Sequence, residues 1–123
     1  MPKFSPESAA KLATADARLQ RIFNEVIDQI DCTIICGIRN EKDQDTAFVR
    51  GHSKDRWPTS PHDHSPSRAI DAMPDPIDWE NTEHIFFFAG IVLGTASKLG
   101  VKIRWGGEFK TLKDYDHFEL DEP

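Results

Sequence analysis

A chain of 123 residues, 38% hydrophobic and 29% charged, has the make-up of one globular domain, spanning 1–123, that can bury a core without staples. Its formal charge of −6, with lysines and arginines scattered along the chain, argues against a nucleic-acid partner, which calls for a basic patch. Its longest apolar run, residues 85–93, is far short of a membrane span. Met1-Pro2-Lys3-Phe4 leads into polar, helix-like sequence without the apolar stretch of a signal peptide.

Ser5-Pro6-Glu7 reads as a helix start, with serine as cap and proline in the first turn, and the helix runs to about Leu12. From Asp16, the apolar residues Leu19, Ile22, Phe23, Val26, Ile27 and Ile30 recur at three- and four-residue steps, which predicts a second helix with one inward face. Cys32 to Ile38 reads as a buried strand. Cys32 and Cys36 share one of its faces and are expected to be reduced thiols in the core rather than a zinc pair. Asn40 can cap a third helix ending near Val49.

Residues 51–67, rich in Gly, Ser, Pro, His and Asp, predict a loop, the kind of segment on which site residues tend to sit. Arg68 to Met73 reads as a strand with Ala69 and Asp71 on one face and Ile70 on the other, ended by Pro74 and Pro76. A fourth helix runs from Asn81 to Leu99 and stops at Gly100. Its middle, with Phe86, Phe87, Phe88, Ile91, Val92 and Leu93, is apolar nearly all round, so it is expected at the centre of the core with the phenylalanines packed inside. Val101 to Trp105 and His117 to Leu120 alternate as strands on either side of Gly106-Gly107. The fold class is α+β: a small antiparallel sheet packed with about four helices, with the site in a surface cleft.

His62, Asp71 and His117 carry the most chemistry. Two imidazoles and a carboxylate suffice for a zinc ion that keeps a fourth position open for water. Asp114, three residues before His117, offers a further carboxylate that could serve as a base. Five histidines and twenty-one acidic residues can also produce such a set by accident. Asp71 could pair with Arg39 or Arg68 instead of a metal, and Asp114 could be a turn residue. His117 and Glu119 share one strand face and Phe118 and Leu120 the other, so His117 can face a cleft while Phe118 anchors the strand. Trp105-Gly106-Gly107 reads as a strand end with a tight turn, as a place where substrate backbone can come close, or as both.

Several motifs in order carry a resemblance. They are the Phe4-Ser5 helix opening; Gly37-Ile38-Arg39 with Gln44 five positions on; and Ser60-x-His62. Ser65-Pro66-Ser67-Arg68-Ala69-Ile70-Asp71 and Pro76-Ile77-Asp78-Trp79 follow. Trp105-Gly106-Gly107-Glu108-Phe109 and Asp114-x-x-His117-Phe118-Glu119-Leu120 end the series. Over nearly its whole length the chain resembles the bacteriophage endolysins of the L-alanyl-D-glutamate peptidase and D-alanyl-D-alanine carboxypeptidase group of zinc enzymes.

The resemblance implies one zinc ion per chain held by His62, Asp71 and His117, with Asp114 as catalytic base. It gives Arg39 a role in binding a substrate carboxylate or steadying the oxyanion, and it implies substrate contacts from Gln44, Ser60 and Trp105 as well. The usual histidine-to-aspartate spacing of the group would fit His64, but Ser60-x-His62 and the longer loop favour His62; His52 and His84 match no motif and are expected on the surface. The implied substrate is the peptide stem of bacterial peptidoglycan, cut between L-alanine and D-glutamate by a monomer. Such an enzyme would wait in the host cytoplasm until the membrane is permeabilised and then act on the wall. D,D- or L,D-carboxypeptidase action, or a non-catalytic wall-binding or phage structural module, are the alternatives.

Overall fold

Ser5 and Asp16 set the first two helices of the chain, whose computed structural model describes residues 2–123. The Ser5 hydroxyl accepts the Ser8 N–H at the head of α1 (Pro6–Leu12), and the Asp16 carboxylate accepts the Arg18 N–H at the head of α2 (Ala17–Gln29). Leu19, Ile22, Phe23, Val26 and Ile27 of α2 are buried, so the inward face is the one their spacing implies. Asn40 caps α3 (Glu41–Val49) through the Asp43 N–H. The last helix, α4, covers Thr82–Lys98.

Four strands, β1 (Cys32–Cys36), β2 (Ala69–Pro74), β3 (Ile103–Trp105) and β4 (His117–Leu120), form an antiparallel sheet in the order β1-β2-β4-β3. The fold is thus the expected α+β arrangement of four helices and a small sheet. β2 is buried along its whole length because strands flank it on both edges and chain covers both its faces. Ile70 and Phe118 are cross-strand partners and point into the core shared with Phe23, Phe88, Val92 and Ile34. Phe118 meets the rings of Phe23 and Phe88 edge-on at 5.9 and 6.1 Å.

Two expectations need correction. The apolar run in α4 is one-sided: Ile85, Phe88, Ala89, Val92 and Ala96 are buried, whereas Phe86 and Phe87 remain 48% and 63% exposed. Helical periodicity allows only one stripe to face the sheet, and three consecutive phenylalanines cannot all lie on it. The first strand ends at Cys36 rather than Ile38, and Cys36 is only half-buried, at the edge of the site instead of in the core.

Candidate metal centre

Strand register builds the site. Cys36 of β1 stands opposite Asp71 of β2, and Asp71 stands opposite His117 of β4. Directly opposed residues on antiparallel strands share a face, so these three form one row on the side of the sheet away from Phe118. The next row on that side holds Ala69, Glu119 and Arg104.

His62 reaches the row from outside the sheet, on a single 3-10 turn (Pro61–Asp63). Ser60 caps that turn, and the Asp63 carboxylate closes it by accepting the Ser60 N–H. The turn is docked on the chain leaving β1: the Arg39 N–H donates to the His62 carbonyl at 2.8 Å, and His62 Nδ1 lies 2.7 Å from the Gly37 carbonyl oxygen. Gly37 must be glycine here, because a Cβ would run into Thr14 Oγ1 and the Lys11 carbonyl. His64, the other candidate in the loop, is exposed and outside the cluster.

Three donor atoms converge. His62 Nε2 is 3.2 Å from Asp71 Oδ1 and 3.2 Å from His117 Nδ1, and His117 Nδ1 is 3.0 Å from Asp71 Oδ1. The far nitrogen of each ring is already committed: His62 Nδ1 to the Gly37 carbonyl and His117 Nε2 to Glu119 Oε1 at 2.8 Å. Both partners are acceptors, so each outer nitrogen carries the proton and neutral rings would aim two lone pairs at one carboxylate oxygen. A cation at the centre, or a proton on each inner nitrogen, satisfies such an arrangement. Zinc bonded tetrahedrally at about 2.0–2.1 Å separates its donors by roughly 3.3 Å, which the observed triangle matches closely. His62, Asp71 and His117 therefore fit a metal ion.

Electrostatics agree with that chemistry. Burial pulls the two imidazoles down, but the Asp71 charge and hydrogen bonds outweigh it and raise His62 to about 10 and His117 to about 9. Burial pushes the Asp71 carboxyl up, yet the facing histidines hold it well below the usual carboxylate range. The pocket thus concentrates negative potential where positive charge is to be held.

Asp114 stands at the lip of the site, its Oδ2 4.0 Å from His117 Nδ1. It is brought there by a tight turn in which the His117 N–H donates to the Asp114 carbonyl and the Asp114 N–H donates to the Gly106 carbonyl. A Cβ on Gly106 would collide with the Asp114 backbone. Gly106 therefore makes room for the chain's own Asp114 turn, and Gly107 for the Trp105 ring. Asp71, Asp114 and His117 make a second possible ligand group, as do Cys36, His62 and Asp71. Cys36 Sγ lies 3.8 Å from His62 Nδ1, on the nitrogen turned away from the donor triangle.

The remaining expected residues divide. Arg39 lies beside the centre, with Nη2 3.5 Å from Asp71 Oδ2 and Nη1 donating to Gln44 Oε1 at 2.8 Å. Gln44 is fully buried and its amide nitrogen donates to Ser53 Oγ and the Asp55 carbonyl, so its polar atoms are spent on holding Arg39 and the following loop rather than on a substrate. Ser60 is likewise buried, as the cap of the His62 turn. Trp105 does not enter the cleft. It pairs in register with Phe118, which puts it on the helix-facing side, where it packs on Phe86 and Tyr115 and donates its Nε1–H to the Tyr115 carbonyl.

Residues not anticipated are Glu119, Asp116, Phe109 and Arg104. Glu119 orients His117. Asp116 is buried, and its carboxyl is pushed up to about 10 by burial first and then by the neighbouring Asp71 and Asp114 carboxylates. Phe109 stacks at a tilt 5.8 Å from the His117 ring. A cavity of about 310 Å³ lies over the donor triangle, lined among others by Arg39, His62, Arg104, Phe109, Asp114 and Glu119. A second, of about 500 Å³, shares Arg39 and Asp114 with it and is lined also by Asp71, Trp79 and Asp116. His52, expected as a bystander, is exposed but borders both.

A solved structure shares this fold. The L-Ala D-Glu endopeptidase ChiX of Serratia marcescens is 26% identical and superposes with a TM-score of 0.82 over 97% of this chain and 90% of its own. No curated protein sequence matches the chain significantly. Residues 1–122 match the family described as phage L-alanyl-D-glutamate peptidase, and the row of Asp71 and His117, closed by His62, lies within that match. The chain belongs to the phage L-alanyl-D-glutamate peptidase family.

Proposed function

We propose that the chain is a zinc-dependent peptidase that hydrolyses the L-alanyl-D-glutamate bond in the stem peptides of bacterial peptidoglycan and serves phage-induced lysis of the host wall. The observation that carries the reading is the donor triangle of His62, Asp71 and His117, whose outer nitrogens are already engaged. Its dimensions suit zinc, and its open side faces the cavity.

A bound zinc ion would supply an acidified water and polarise the scissile carbonyl. Asp114, at the lip, is the carboxylate placed to accept a proton from the attacking water and to return it to the leaving amine. Arg39 steadies the oxygen that gains charge, since its guanidinium is held beside Asp71 by Gln44. Glu119 and the Gly37 carbonyl keep the two imidazoles in the tautomers that ligation requires.

Endopeptidase action is favoured over carboxypeptidase action by the two cavities, which meet at Arg39, His52, Leu112 and Asp114. Adjoining cavities of about 310 and 500 Å³ offer room for more than the single terminal residue that a carboxypeptidase removes. The test is mass spectrometry of purified peptidoglycan digested with zinc-loaded and chelator-treated protein. New amino termini on glutamate that appear only with zinc support the proposal. Release of terminal alanine instead would assign a carboxypeptidase, and wall binding without new termini would assign a non-catalytic module.

A further inference from the structure

We infer that Arg104 and Lys54, both placed against the Phe109 ring, form the subsite that receives the free carboxylate of the substrate's glutamyl residue; this rests on the peptidase reading above. A glutamyl residue joined through its nitrogen has two carboxyl groups. Chain continues through at most one of them, so the other stays anionic within a few bonds of the scissile nitrogen. A site that cuts beside such a residue needs a cation near the centre, yet separate from the one that steadies the reacting oxygen.

Arg39 is not free to be that cation. Its side chain is only 16% exposed, with one nitrogen donating to Gln44 and another turned to Asp71. Arg104 differs on each point. It projects from β3 in the same row as Ala69 and Glu119, hence on the metal side of the sheet. Its side chain is 52% exposed, and among the described residues its only polar partner is Glu119, at 3.4 Å from one terminal nitrogen. The rest of its fork is open for a planar, two-point grip on a carboxylate.

Lys54 approaches the same place from the loop after α3. Its Nζ is 5.6 Å from the Phe109 ring centre, the Arg104 guanidinium carbon is 5.2 Å from it, and Phe109 itself packs on His117. The ring offers an apolar wall for the glutamyl methylenes, with two cations close to it for the carboxylate. In a chain of net charge −6, three cations, Arg39, Lys54 and Arg104, nonetheless line this one cavity. The acids on the same wall are otherwise placed: Glu119 is bound to His117 and Arg104, Asp114 stands at the lip beside His117, and Asp55 lies at the Gln44 end.

Two synthetic peptides containing the L-Ala–D-Glu linkage provide the test, identical except that one keeps the glutamyl carboxylate and the other carries a carboxamide. Zinc-loaded parent, Arg104→Gln, Arg104→Lys and Lys54→Gln proteins are compared for KM and kcat, and for Kd in an Asp114→Asn background in which hydrolysis is slow enough to measure binding. The parent should favour the free acid about tenfold or more, the usual scale for a charge-assisted pair. Arg104→Gln should erase that preference through KM, Arg104→Lys should restore part of it, and Lys54→Gln should reduce it. Equal handling of the two peptides by the parent would overturn the subsite. So would an equal loss on both in Arg104→Gln with reduced zinc content, which would mean that Arg104 acts only through Glu119 and His117. If neither peptide is cleaved but the Kd preference exists and depends on Arg104, the subsite stands and the reaction assignment falls.

Discussion

Asp71 Oδ1 and His117 Nδ1 face each other at 3.0 Å across a hydrogen-bonded strand pair, so two members of the donor triangle are held by the sheet itself. Only His62 arrives from a loop, on a turn pinned by Ser60 and by the chain after β1.

That division sets the first expectation. His62→Ala should abolish stoichiometric zinc binding, while His64→Ala, altered at an exposed position, should bind one zinc per chain as the parent does. Metal content after gel filtration decides it. Zinc retained in the His62 variant and lost in the His64 variant would reverse the assignment.

Asp114→Asn and Asp71→Asn should separate base from ligand. The first removes a proton acceptor outside the donor triangle, so zinc content and thermal stability should hold while hydrolysis falls on the order of a hundredfold or more. The second removes a charged ligand, so the metal itself should be bound more weakly. Measuring zinc content and turnover on both variants checks the pair, and an active Asp114→Asn enzyme would sink the assigned mechanism.

Gln44 should matter to turnover although it lies too deep to meet substrate. Gln44→Ala leaves one Arg39 nitrogen without its partner and frees the Ser53–Asp55 loop from its anchor. Zinc content should be unchanged and kcat should fall about tenfold, as when a positioned charge loses its orienting group. Arg39→Lys should lower turnover too, because lysine keeps the charge but loses the planar fork. Parent-like kcat in both variants would remove this pair from the site.

Acid should find a weak point far from the cleft. Arg18 draws the Asp16 carboxyl down to about 2 from an ordinary 3.8, chiefly by a side-chain hydrogen bond. A carboxylate with a depressed folded-state value stabilises fully above its unfolded value, and that contribution is lost as pH falls through the folded one. Asp16→Ala should therefore cost about 1 kcal/mol near neutrality, where the cap of α2 is also lost. The gap from the parent should close between pH 4 and pH 2. Denaturant midpoints for both proteins across that range provide the check, and a gap that persists at pH 2 would refute the linkage.

Much of this architecture could be read from residue order, because the signals involved are local. Ser5 and Asn40 begin α1 and α3 through caps that sequence displays directly, and α2 announces its buried face by spacing. The motif around His62, Asp71 and His117 is equally visible. What sequence hid was non-local. Alternation says that Trp105 and Arg104 face opposite ways, but only pairing with Phe118 and Glu119 decides which of them meets the cleft. Gln44 gave no inward signal, since α3 has no apolar stripe and buries that polar residue alone. In α4 the run of three phenylalanines masked the stripe from Ile85 to Ala96 that meets the sheet.

The two faces of β2 and β4 answer to different demands at the same time. Sliding β4 by one residue against β2 would turn Phe118 into the cleft and His117 into the oily interior, so a misaligned chain would forfeit its core and its chemistry together. Metal uptake thereby reports on correct strand alignment, and a refolding trial could be scored by it. Efforts to retarget the enzyme to other walls have little freedom on these strands. The room for change is in the Lys54 loop and around Arg104 and Phe109, whose side chains ring the cavity without holding the sheet together.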